Sequence, residues 1–119
     1  MDHDSQCVDV HSHYFPDSYI ELLAEQGVDP DPHQCSGLGA GDGAQEMSNR
    51  LRHMDEAGVE VQILSSSPLM PTGPSAAPAA HAARFINDLL VDLADQHPDR
   101  FRFVATLPML YPDAALAEI

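Results

Sequence analysis

His11 and His13 stand two residues apart in the segment CVDVHSHYFP, residues 7–16, and are the side chains best suited to chemistry in this 119-residue sequence. The segment alternates as a strand does. On a strand, residues at i and i+2 point to the same side, roughly 6.5–7 Å apart along the backbone. Two imidazoles so placed can converge on one ion at metal–nitrogen distances of about 2.0–2.1 Å. The competing reading is two ordinary strand-end histidines, because a bare H-x-H arises readily by chance. Strict alternation puts Cys7, Asp9, His11 and His13 on one face and Val8, Val10 and Ser12 on the other. Asp9 is then a candidate to accept a hydrogen bond from an imidazole and fix its orientation, or a polar residue filling an interior spot.

The elements that must position these residues can be read outward from them. Pro16 ends the strand. Asp17 or Ser18 can cap a helix, with Glu21 completing a capping box, and Gly27 is a natural stop. Residues 28–43, VDPDPHQCSGLGAGDG, are Pro/Gly-rich without periodicity and predict a loop, long enough to be a functional loop or lid. A second helix carries Met47, Leu51 and Met54 on one face and ends at Gly58. VEVQILSS, from Val59, predicts a second strand, and residues 68–78 a further loop. A third helix spans about residues 79–97, where Ala82, Phe85, Ile86, Leu89, Leu90 and Leu93 fit the helical period. FRFVATLP, from Phe101, predicts a third strand, and YPDAALAEI opens a fourth helix with Asp113 as its cap.

Strands separated by helices imply parallel pairing and right-handed crossovers, hence an α/β protein. In parallel barrels the active site lies at the C-terminal strand ends. Phe15 just past the first strand, Ser65 and Ser66 at the end of the second, and Thr106 at the end of the third are therefore candidate substrate contacts. A serine-rich turn is the competing reading for the hydroxyl residues. His33 and Cys35 have ligand-like chemistry but read as unpaired loop residues.

Composition narrows the function classes. Apolar residues make up 44% of the chain, enough for one core. The formal charge is −14, and the five basic residues are all arginine, which argues against nucleic acid and anionic membrane surfaces as partners. The absence of lysine excludes a Schiff-base lysine and a Walker-type phosphate loop in this stretch. No apolar run approaches the ~20 residues of a membrane span. The acidic N-terminus is no signal peptide, and two cysteines make no disulfide framework. A cytoplasmic setting is the expectation. The sequence stops at Ile119, barely into a helix, and a (β/α)8 barrel needs about 250 residues. Residues 1–119 are thus expected to be a single, incomplete domain: about three βα units from the N-terminal part of a TIM (β/α)8 barrel, truncated at the C-terminus.

Three collinear blocks carry a resemblance to a known family. VDVHSHYFP resembles the first-strand motif of the amidohydrolase superfamily. NRLRHMDEAGVEVQILSSSPLM and FINDLLVDLADQHPDRFRFVATLPMLYPDAALAEI resemble the same stretches of the amidohydrolase-related branch that includes aminocarboxymuconate-semialdehyde decarboxylase. The resemblance implies a distorted TIM barrel of the metal-dependent hydrolase type holding one divalent metal, usually Zn2+ and in some members Mn2+ or Mg2+. His11 and His13 match its two first-strand ligands. The family's remaining ligands and its acid/base histidine belong to later strands and are expected beyond Ile119. One feature departs from the pattern. Residues 14–46 contain no Arg or Lys to match the arginine with which the aminocarboxymuconate enzyme holds a substrate carboxylate, so that substrate is not carried over.

On this resemblance the parent protein is a non-oxidative decarboxylase (a carbon–carbon lyase) of a small carboxylic acid. The alternative is a metal-dependent hydrolase of an ester, lactone or amide. His11 and His13 serve both equally. For the isolated chain, a third reading is an inactive barrel fragment. A homodimer is compatible with the full-length parent.

Overall fold

The computed structural model describes residues 6–28 and 30–119. The chain runs β1 (Val8–His13), α1 (Asp17–Glu25), a turn of 3-10 helix (Pro32–Cys35), α2 (Ala44–Ala57), β2 (Val61–Ser65), α3 (Ala76–Gln96), β3 (Phe101–Phe103) and α4 (Pro112–Glu118). The strands lie in the order β1-β2-β3, and both pairings are parallel. This is the expected α/β arrangement, in the form of a three-stranded piece of sheet.

Local sequence explains most element ends. Gly58 closes α2 in the left-handed conformation at φ 71°, its N–H turning back to the carbonyls of Met54 and Asp55. α3 starts at Ala76, earlier than expected, because Pro78 falls in the first turn, where a missing N–H is harmless. The capping box expected at Ser18 does not form. Pro16 is the residue before α1, and Asp17 sits in the first turn, where its charge suits the helix dipole. Asp113 likewise lies in the first turn of α4, with Tyr111 at the cap. Inside the long loop, the Asp31 carboxylate accepts the His33 N–H at 2.9 Å and starts the 3-10 turn.

The core forms between the helices and one side of the sheet. Tyr19, Ile20 and Leu23 of α1, Ile86, Leu90 and Leu93 of α3, Leu64 of β2 and Phe101 of β3 are all buried in one cluster. Other residues in or next to the strands remain open: Val10 of β1 is 74% exposed and Val104, just past β3, 52%. Among the described residues no helix is long and apolar enough to cross a membrane.

Candidate metal centre

The histidine pair ends a strand that is not regular. Asp9 pairs with Gln62 and Ser12 with Leu64, so β1 advances three residues while β2 advances two. The extra residue is a β-bulge. It overturns the strict alternation expected for residues 7–13: Asp9 and Ser12, three apart, reach the same side-chain network. The rings of His11 and His13 nevertheless meet, with centroids 5.0 Å apart and planes at 83°. Beneath them Phe15 stacks on His13 at 5.4 Å, with planes 17° apart.

Asp9 holds His11, but not by its ring. Its Oδ1 accepts the His11 backbone N–H at 3.0 Å, and its Oδ2 accepts from Gln62 Nε2 at 3.1 Å. The expectation of an imidazole contact is thus corrected: the bulge turns the His11 amide, rather than its ring, toward the carboxylate. Gln62 Oε1 in turn accepts from Arg50 at 2.9 Å, and Arg50 also donates to Ser12 Oγ at 3.0 Å and to the His13 carbonyl at 2.6 Å. Burial pulls the Arg50 guanidinium below its ordinary pKa, against the opposing effect of Tyr14, Asp9 and Glu46.

Arg50 and Gln62 are the residues that sequence reasoning missed, although each left a signal. Arg50 falls within the apolar series Met47, Leu51, Met54, and Gln62 interrupts the apolar run of β2. A charged or amide group on a core-facing position needs a buried partner.

The candidate substrate contacts separate. Ser65 lines a cavity of about 290 Å³ with His11, His13, Val10, Ile63 and Val104, and so lies beside the histidine pair. Phe15, Ser66 and Thr106 are 4%, 1% and 4% exposed, so the structure places them among buried residues. Phe15 supports the His13 ring. Ser66 and Thr106 join their hydroxyls at 2.6 Å, tying the end of β2 to the segment after β3. Both hydroxyls are buried, and they satisfy each other in place of water. A second cavity, of about 590 Å³, lies beside β1 and is lined by Asp9, His11, His13, Arg50, His53 and Gln62, among others.

Two observations bear on whether the histidines suit an ion. Two imidazoles on one tetrahedral ion at about 2.0–2.1 Å would stand with centroids roughly 5 Å apart, which the pair matches. His13 Nδ1 is buried and has no hydrogen-bond partner among the described residues. The donor set stops there: among the described residues no group of three or more His, Cys, Asp or Glu is placed to hold a metal. His33 lies 3.8 Å from Glu21 at the surface, and Cys35 packs against the core.

Comparison with known proteins places this geometry. No protein-family model matches the chain. Gamma-resorcylate decarboxylase of Rhodococcus jostii is 42% identical over 71 residues, 59% of this chain and 22% of that protein. Decarboxylase yanB of Aspergillus niger is 35% identical over 116 residues, 94% of this chain and 29% of its own length. The crystal structure of 2,6-dihydroxybenzoate decarboxylase from Rhizobium superposes with a TM-score of 0.71 at 30% identity, over 96% of this chain and 33% of that one. Dihydroxybenzoic acid decarboxylase from Polaromonas, solved with bound manganese and the inhibitor 2-nitroresorcinol, gives 0.71 at 28% identity, over 96% and 33%. The chain spans between 22% and 35% of the length of the curated relatives it matches. It is homologous, over that part of their length, to the decarboxylases of the amidohydrolase superfamily.

Proposed function

We propose that these residues belong to a divalent-metal-dependent, non-oxidative decarboxylase of a small carboxylic acid, built on a (β/α)8 barrel whose first strands are β1 to β3. The observation that carries the reading is the His11–His13 pair, 5.0 Å apart at the C-terminal end of a parallel strand, in a chain homologous to decarboxylases. A hydroxylated benzoate is the substrate class favoured by those relatives. The manganese held by the Polaromonas enzyme supports a divalent ion and favours Mn2+ over the zinc that two imidazoles would otherwise suggest.

His11 and His13 would hold the ion, which supplies Lewis-acid polarisation of a substrate oxygen when bound. Asp9 and Arg50 fix the backbone that carries both rings, and Phe15 limits rotation of the His13 ring by stacking. Ser65, beside the pair, is the substrate contact we retain. The chain's charge of −14 opposes an anionic substrate at long range, so Arg50 and the ion must supply the local positive potential. The proton donor to the carbon that loses CO2 is assigned to later strands.

The test is product analysis of the protein as the cell makes it, supplied with Mn2+ and 2,6-dihydroxybenzoate. Release of CO2 and resorcinol in equal amounts, abolished by a chelator, is the expected result. Hydrolysis of esters or lactones without CO2 release from any benzoate would replace this reading with the hydrolase.

A further inference from the structure

The hydrogen bonds around Arg50 reach each residue of the tripeptide His11-Ser12-His13. Arg50 donates to the carbonyl of His13 and to the hydroxyl of Ser12. Through Gln62 it reaches Asp9, which accepts the backbone N–H of His11. The network lies where the β1–β2 ladder is interrupted, between the Asp9–Gln62 and Ser12–Leu64 pairs. There residues 10 and 11 have no paired residue in the β2 register, and the Asp9 carboxylate takes up the His11 N–H.

The network has a fixed polarity. A guanidinium only donates and a carboxylate only accepts. Gln62 must therefore turn Oε1 to Arg50 and Nε2 to Asp9, which leaves the Asp9 carboxylate to receive both Gln62 and His11. Among the described residues, Arg50 Nε is buried without a hydrogen-bond partner. The guanidinium therefore sits where it serves the tripeptide, at the expense of one of its own donors.

We propose that Arg50, directly at His13 and through Gln62 and Asp9 at His11, is the positioning residue that holds the two imidazoles at their mutual separation. The proposal rests on the reading of His11 and His13 as the ion's donors. Lysine cannot replace the planar fork that serves Ser12, Gln62 and His13 together.

The test uses the 119-residue chain and three measurements: the nuclear Overhauser effect between the His11 and His13 rings, amide exchange of His11, and Zn2+ affinity. In Arg50→Met the ring-to-ring effect weakens, His11 exchange accelerates about tenfold or more, and zinc affinity falls about 10–100-fold. Arg50→Lys recovers these only in part. A role confined to general stability would lower the melting temperature but leave the ring-to-ring effect and the relative exchange of His11 unchanged in the folded variant. That outcome overturns the proposal. If Arg50→Met does not fold, Asp9→Asn decides. It sets a donor against Gln62 Nε2 or removes the acceptor from His11, and the same loosening is expected, with unchanged rings and exchange again overturning the proposal. If the ring-to-ring effect and His11 exchange change in Arg50→Met but the wild-type chain binds no zinc, the donor reading fails while the positioning role stands.

Discussion

Asn87→Ala is a substitution whose cost the structure lets us work out. Asn87, on α3, accepts the Thr106 N–H at 2.7 Å and donates to the Thr106 carbonyl at 2.9 Å. The pair of bonds does for Thr106 what a neighbouring strand would do, just after β3 has ended at Phe103. Thr106 is 4% exposed, so water cannot readily replace the amide. Alanine leaves one buried N–H and one buried carbonyl unpaired, at about 1–3 kcal/mol each. With partial relaxation the total is about 2–4 kcal/mol, a fall in melting temperature of roughly 10 °C for a chain of this size. Asn87→Asp keeps the acceptor but turns a carboxylate oxygen toward the Thr106 carbonyl. That contact favours the protonated acid and raises its folded pKa above the unfolded value of about 3.9. The folded state then binds more protons, so stability relative to wild type falls as pH rises between the two values. Urea denaturation followed by circular dichroism at pH 5 and 7.5 measures both effects. An Asn87→Ala variant within about 0.5 kcal/mol of wild type, or an Asn87→Asp deficit that does not grow with pH, would refute the reasoning.

Phe15→Ala removes a 4% exposed ring stacked on His13 and should cost about 3–5 kcal/mol in urea denaturation, with the His13 ring resonances broadening in any folded fraction. Val10→Thr and Val104→Thr alter side chains that are 74% and 52% exposed. They should leave the unfolding free energy of this chain, from urea denaturation, within about 0.5 kcal/mol of wild type, and a larger loss would show that these residues are packed. Burial, with the charges of Asp42 and Asp92 added and Arg50 opposing, pushes the Tyr14 hydroxyl up to about 12 from 10.0. Its folded pKa lies above the unfolded one, so its contribution is fully present below pH 10 and is lost between pH 10 and 12. Ultraviolet titration of the phenols should show Tyr14 ionising only in that window, together with loss of structure, and titration near pH 10 in the folded protein would contradict it.

Much of this architecture was legible from side-chain periodicity. The ends of β1 and α2, at His13 and Ala57, follow from Pro16 and Gly58, because a proline and a left-handed glycine act locally. What escaped were features set by partners distant in sequence. The bulge between Asp9 and Ser12 is a mismatch of register against β2, and alternation within β1 cannot show it. Arg50 acts on residues 37 and 38 positions earlier, a contact that no periodic pattern carries. Ser66 and Thr106, candidate substrate contacts with a serine-rich turn as the competing reading, meet in a way that their positions in the sequence do not show. They share a hydrogen bond across 40 residues, and both are buried. The loop of residues 28–43 hid a 3-10 turn because its Asp31 cap spans too few residues to produce a period.

The central claim is that His11 and His13 act together as ion donors. Zinc titration of the 119-residue chain, followed through the nitrogen-15 signals of the histidine side chains, tests it most directly. The account predicts that the His11 and His13 rings shift together at the lowest zinc concentrations, ahead of the surface histidines His33 and His53. His11→Ala and His13→Ala should each abolish the shift of the remaining ring. Independent titration of the two rings, or zinc binding of equal strength in both alanine variants and the wild type, would contradict it.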